Sequence, residues 1–179
     1  MKKILLILSA ILLWSSSSMA QQIFGSDNGK AVTPVVQASA YSASNAMGGL
    51  QTVNVFRTPQ NAAGILDNFW ISSLAGNTAG MTIYIFDTQP SSSTTCTDKT
   101  AFVLANADVP KLALMPFIVS PATAQGITQS IAQQNQIATS VRNNDTVPTS
   151  NLYVCIVANG SVTPGSTSDL SFKISLVQD

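Results

Sequence analysis

Near its C-terminus the chain reads "LSFKISLV" (170–177), in which Leu170, Phe172, Ile174 and Leu176 alternate with Ser171, Lys173 and Ser175. A period of two belongs to a strand with one buried and one wet face. One strand has nothing to bury that face against, so the chain must build a sheet and a layer to cover it. Seven further apolar runs fit the same scheme: "VVQASAY", "GLQTVNVF", "GILDNFWISSL", "MTIYIFD", "LALMPFIV", "QIATSV" and "LYVCIVA", bounded by Gly, Asn or Pro signals. Eight short runs predict an all-β, antiparallel β-sandwich in a single domain. They are too short for the roughly ten-residue alternating strands of a membrane barrel. Pro116 marks "LALMPFIV" as an edge strand or the site of a bulge.

Composition points the same way. All eight acidic residues are Asp, Glu and His are absent, and only 9% of the 179 residues are charged, so the polar helix formers are scarce. The formal net charge is zero, which leaves no basic patch for nucleic acid. The opening "MKKILLILSAILLWSSSSMA" has two lysines, an apolar run from Ile4 to Trp14 and small residues at a cleavage site. It reads as a signal peptide (1–20) cut after Ala20, the run being shorter than the roughly 20 residues of a membrane span. Loss of Lys2 and Lys3 leaves six basic against eight acidic residues. Residues 21–34, polar and without periodicity, read as a flexible leader, and 35–179 as the sandwich domain. No later segment resembles a membrane span. The expected location is secreted, periplasmic or at the cell surface.

Export places Cys96 and Cys155 in an oxidising compartment, where one pair has one connectivity, and a disulfide is expected. Without His there is no Ser-His-Asp triad and no imidazole base for a catalytic thiol. Two cysteines without His or Glu do not make a zinc shell. Asp87, Asp98 and Asp108 are the candidates for a carboxylate pair or a calcium site, against the plainer reading of turn residues capping their own backbone. No phosphate loop or dinucleotide fingerprint is present. The expectation is a protein with no catalytic residues, cofactor or metal. Phe69, Trp70, Tyr84 and Phe86 lie on neighbouring expected strands, where they either line a sugar-binding face or fill the core. Residues 122–136, "ATAQGITQSIAQQNQ", break the β rhythm: Ile127 and Ile131 are four apart, as in a helical turn, while Gly126 and the Gln/Ser content suit a loop.

The stretch "TIYIFDTQPSSSTTCTDKTAF" (82–102) joins a strand to a Ser/Thr tract. It reads as a strand leaving the sheet at Asp87, turning at Pro90 and re-entering the core at Cys96, with a new element near Asp98. Together with "AYSASNAMGGLQTV", "NADVPKL" and the closing "SDLSFKISLVQD", it resembles a family of small virion proteins of tailed bacteriophages and prophages. The resemblance spans roughly residues 33–179. It rests on the Tyr-Ser-Ala entry before Gly48-Gly49-Leu50, the "IFDTQP" turn, Thr97-Asp98, "NADVPKL" and the closing "SDLSFKISLVQD", in that order. It implies a jelly-roll-like sandwich that decorates or joins particle components, without enzyme activity, and with protein partners or copies of itself. The chain departs from the pattern in its signal peptide, in the insert near Gly126, and in carrying Cys96 and Cys155 where apolar or small residues are usual. An exported adhesin or glycan-binding module is the alternative.

Overall fold

A computed structural model describes residues 29–57, 63–123, 130–147 and 149–178. Residues 1–28, which include the segment read as a signal peptide, lie outside the described residues. The strands are β1 (Lys30–Val32), β2 (Ala46–Asn54), β3 (Ala63–Ser73), β4 (Met81–Phe86), β5 (Phe117–Val119), β6 (Ala122–Thr123), β7 (Ser130–Arg142), β8 (Asn151–Ala158) and β9 (Leu170–Val177). They form two sheets, β1-β9-β3-β7-β6 and β2-β8-β4-β5, in which every pairing is antiparallel. With the two-residue β6 set aside, the chain passes between the sheets in the order of a jelly roll, two Greek keys folded face to face. The all-β sandwich expected from the apolar runs is the architecture observed.

The core lies between the sheets. Leu66, Phe69 and Ile71 of β3 and Leu170, Phe172 and Ile174 of β9 face Met81, Ile83 and Ile85 of β4 and Leu152, Val154 and Ile156 of β8. Phe69 stacks on Phe172 with ring centroids 5.5 Å apart and meets Phe117 edge-on at 5.6 Å. Leu66 and Phe69 are three residues apart yet both fully buried, which strict alternation forbids. A bulge resolves this: β3 pairs Leu66 with Leu176 and Asn68 with Ser175 of β9, so Asp67 has no partner there and the next side chains change face. Opposite, β7 spends extra residues between Asn135 and Thr139, including Ala138 at φ 47°.

Three local readings differ from the structure. "VVQASAY" forms no strand beyond an isolated bridge from Tyr41 to Val162, and the first strand sits earlier, at Lys30–Val32, inside the segment read as a leader. Those residues are held because the free edge of β9 offers its backbone to them. The 122–136 stretch contains β6 and the first half of β7 rather than a helical turn; Gly126 and Ile127 lie outside the described residues. Pairing along β3 overrides the weak strand propensity of "SIAQQNQ". Pro116, as expected, directly precedes an edge strand, β5.

Candidate functional site

The distinguishing feature is the connection between β4 and β5, residues 87–116, far longer than the few residues of an ordinary hairpin loop. It begins and ends at a neck. Asp87 N–H donates to Lys111 O (2.9 Å) and Ala113 N–H to Ile85 O (2.9 Å). From there the chain crosses the outer face of the four-stranded sheet as a strap, passing over β4 and β8 to the edge strand β2. Beneath it lies a second apolar cluster: Ala46, Phe86, Tyr153, Cys155 and Val157, with Leu50, Tyr84, Cys96, Phe102, Leu104 and Leu112 packed against them. The Tyr84 and Phe102 rings are 4.3 Å apart. Covering by the core on one side and the strap on the other explains why every residue of β8 after Asn151 is buried.

The strap is fastened covalently in its middle. Cys96 and Cys155 are bonded, with Cα atoms 6.2 Å apart. Both cysteines turn to the outer side of the sheet, so Cys96 enters the cluster under the strap and not the core between the sheets, which corrects the expected path. The next element does not begin near Asp98; residues 95–103 instead form a hairpin-like excursion closed by a Thr95 to Val103 bridge, and a 3₁₀ helix follows at Asn106–Lys111.

A second fastening holds the strap tip to β2. Gly48 and Gly49 interrupt the β2–β8 register between Met47 and Gln51, at φ 74° and 72°, where residues with a Cβ rarely sit. The bulge turns Gly48 N–H toward Asp98 Oδ1 (2.6 Å), and the same oxygen accepts from the Tyr41 hydroxyl (2.7 Å). Tyr41 in turn accepts from Gln37 N–H at 2.6 Å. Burial, then the bond to Asp98, push the Tyr41 phenol well above the usual tyrosine range. Around this clasp run Ala46 N–H to Thr100 O, Lys99 N–H to Ala46 O and Phe102 N–H to Ser44 O. Ser44 (φ 70°) and Lys99 (φ 62°) are themselves left-handed.

Two buried carboxylates, Asp108 and Asp169, and the half-buried Asp145 also hold loops. Asp108, fully buried, accepts from Ser91 N–H (3.0 Å), Ser91 Oγ (2.7 Å) and Thr94 Oγ1 (2.6 Å), while Lys111 Nζ lies 2.9 Å from its other oxygen. Burial alone would raise it, but the bonds from Thr94, Lys111 and Ser91 hold it well below the usual carboxylate range. Asp145 takes Gln89 N–H (2.9 Å), Asn143 Nδ2 (2.9 Å), Thr149 Oγ1 (2.9 Å) and the Tyr153 hydroxyl (2.7 Å). These outweigh its burial and lower it, whereas burial and then Asp145 raise Tyr153. Asp169 receives Ser73 Oγ (2.7 Å) and Ala75 N–H (2.5 Å), tying the β3–β4 turn to the start of β9.

Asp87, Asp98 and Asp108 therefore do not share partners: Asp87 bonds Thr88 and Asn144, Asp98 the Tyr41–Gly48 clasp, Asp108 the strap interior. Among the described residues no three His, Cys, Asp or Glu side chains are grouped to hold a metal ion. Asp145 and Asp169 were not singled out from the sequence, and Tyr41 entered only through the Tyr-Ser-Ala motif; Asn143-Asn144-Asp145 is a turn-type run that could have pointed to Asp145. The four aromatics separate as well. Phe69 is in the core, Tyr84 and Phe86 lie under the strap, and Trp70 faces outward from the five-stranded sheet, with Lys173 Nζ 5.7 Å from its ring centroid.

No protein-family model matches the chain, and no characterised protein matches it in sequence. Among solved structures, a chain of Tomato Aspermy Virus is 10% identical, with a TM-score of 0.37 over 99% of this chain and 95% of that one. Latent aurone synthase, a polyphenol oxidase, is 16% identical with a TM-score of 0.36 over 80% of this chain, which spans only 25% of the enzyme. The cleaved adhesin domain of Lys-gingipain from Porphyromonas gingivalis is 16% identical with a TM-score of 0.27, covering 66% of this chain and 57% of that one. Likenesses at this level assign no function to the chain.

Proposed function

We propose that the protein is a non-enzymatic, exported structural component that docks to protein partners or to copies of itself in a larger assembly, as the phage virion proteins its sequence resembles do. One observation carries this reading: all the motifs behind the resemblance except the closing "SDLSFKISLVQD", which supplies β9, converge on a single structural element. Tyr41 and Gly48 meet Asp98; "NADVPKL" supplies the 3₁₀ helix whose Asp108 holds Ser91 and Thr94; Lys111 Nζ reaches Gln89 O of "IFDTQP" at 3.1 Å. What the motifs encode is the strap and its fastenings, a device for rigidity. The Cys96–Cys155 bond supports an oxidising location.

Size-exclusion chromatography with light scattering, and co-purification from the native source, test the assembly reading; a strictly monomeric protein that captures no partner overturns it. Mass spectrometry of protein recovered from an expressing bacterium tests export: the first residue should be Gln21, and an intact Met1 would overturn cleavage. The adhesin or glycan-binding alternative rests on Trp70, the one of the four aromatics on an open sheet face. It requires glycan-array binding that Trp70→Ala abolishes.

A further inference from the structure

We propose that residues 88–110 are a redox-locked cover, closed over a latent apolar face by the Cys96–Cys155 bond and loosened when that bond is reduced. The four-stranded sheet is apolar on both sides. Its inner side builds the core, while its outer side presents Leu50, Tyr84, Phe86, Tyr153 and Val157, kept from water by the strap. A strap with a neck can move as a unit: its ends are joined by the Asp87–Lys111 and Ile85–Ala113 backbone bonds, so displacing residues 88–110 leaves β4 and β5 paired with each other. Three fastenings hold it down beyond the neck, the slightest being Gln89 N–H to Asp145 near the strap's start. Of the other two, one is covalent, to the central strand β8, and one is the hydrogen-bonded clasp at β2, where Ser44 and Lys99 are held in left-handed backbone. Removing the covalent fastening leaves the clasp, the Gln89–Asp145 bond and the packing of Phe102 and Leu104.

The chemistry is exchange with a dithiol. Cys96 is partly exposed and Cys155 fully buried, so a reductant thiolate attacks the Cys96 sulfur and Cys155 departs with the electron pair and takes a proton. The second thiol of the reductant, as thiolate, attacks its own sulfur in the mixed disulfide and releases Cys96, which takes the second proton. Two electrons and two protons pass to the protein, and the dithiol leaves as a disulfide. Oxidation by a disulfide donor reverses each step and locks the cover.

The test is hydrogen–deuterium exchange of the full chain with and without dithiothreitol, read by mass spectrometry. Loss of the disulfide speeds exchange everywhere that depends on global unfolding, so the decisive quantity is the difference between regions. Peptides from 91–104 are expected to accelerate by about tenfold more than peptides from 66–73 and 170–176, and an apolar dye should bind the reduced protein while the five-stranded sheet stays protected. Cys96→Ser, without reductant, should reproduce the pattern. Equal acceleration of strap and sheets, no acceleration of the strap, or collapse of all protection on reduction would each overturn the proposal.

Discussion

The Tyr41 hydroxyl and the Asp98 carboxylate are joined by a 2.7 Å hydrogen bond across 57 residues of sequence, and Gly48 N–H completes the clasp on the same oxygen. Asp98→Ala leaves both donors without an acceptor and should cost about 2–3 kcal/mol in denaturant unfolding. Tyr41→Phe removes the bond to Asp98 and the acceptor of Gln37 N–H and should cost about 1–3 kcal/mol. Equal, negligible effects would show the clasp to be dispensable.

The two glycines of the bulge should not be equivalent. A Cβ on Gly48 would sit 2.3 Å from Pro34 Cβ, while one on Gly49 would come no nearer than 3.5 Å to Cys96 O. Gly49→Ala meets only the left-handed backbone penalty, about 1–2 kcal/mol. Gly48→Ala adds a clash and should lower the melting temperature further, measured by calorimetry.

The disulfide closes a loop with a sequence separation of 59, which the chain-entropy relation converts to about 4 kcal/mol. Non-reducing peptide mapping should recover the Cys96–Cys155 link, and Cys155→Ser should lower the melting temperature by several degrees or more. Two titratable thiols per chain in protein isolated from the periplasm would contradict it.

Acid should weaken the fold through Asp108 and Asp145. Both are held below their unfolded value of 3.8, so they bind fewer protons folded than unfolded. Their contribution is complete above that value and is lost as the pH falls below it. Thermal stability should be nearly level from pH 7 to about 5 and decline below about 4, and Asp108→Ala should flatten that decline. Tyr41 and Tyr153 are shifted upward, so their contribution holds below the ordinary tyrosine value of 10.0 and is lost as the pH rises beyond it. Ultraviolet absorbance should show these two phenols ionising above that value.

Phe69 and Trp70, adjacent in sequence, point to opposite sides of β3. Phe69→Ala opens a cavity between Phe117 and Phe172 and should cost about 3–5 kcal/mol. Trp70→Ala should cost much less, which makes it a clean probe of the glycan reading.

Much of this was legible in the residues. The alternation of 170–177 yields β9, the two-sided apolarity of "LYVCIVA" yields a central strand, and two cysteines in a sandwich expected to be exported yield the bond. The bulges were not legible. Asp67 shifts the phase of β3 without any residue type that announces it, and β7 runs through glutamines because β3 supplies its partner. Nor was the clasp: Asp98 reads as a turn residue, and its partners lie 50 and 57 positions away. Local chemistry identifies the acceptor, while only the fold chooses the donor.

The neck at Asp87 and Lys111 gives the strap a modular status. A chain that passed directly from β4 to β5 would thread the two Greek keys in the same order, so the sandwich owes its topology to none of residues 88–110. Evolution is free to lengthen, shorten or redecorate that excursion without renegotiating the strand order.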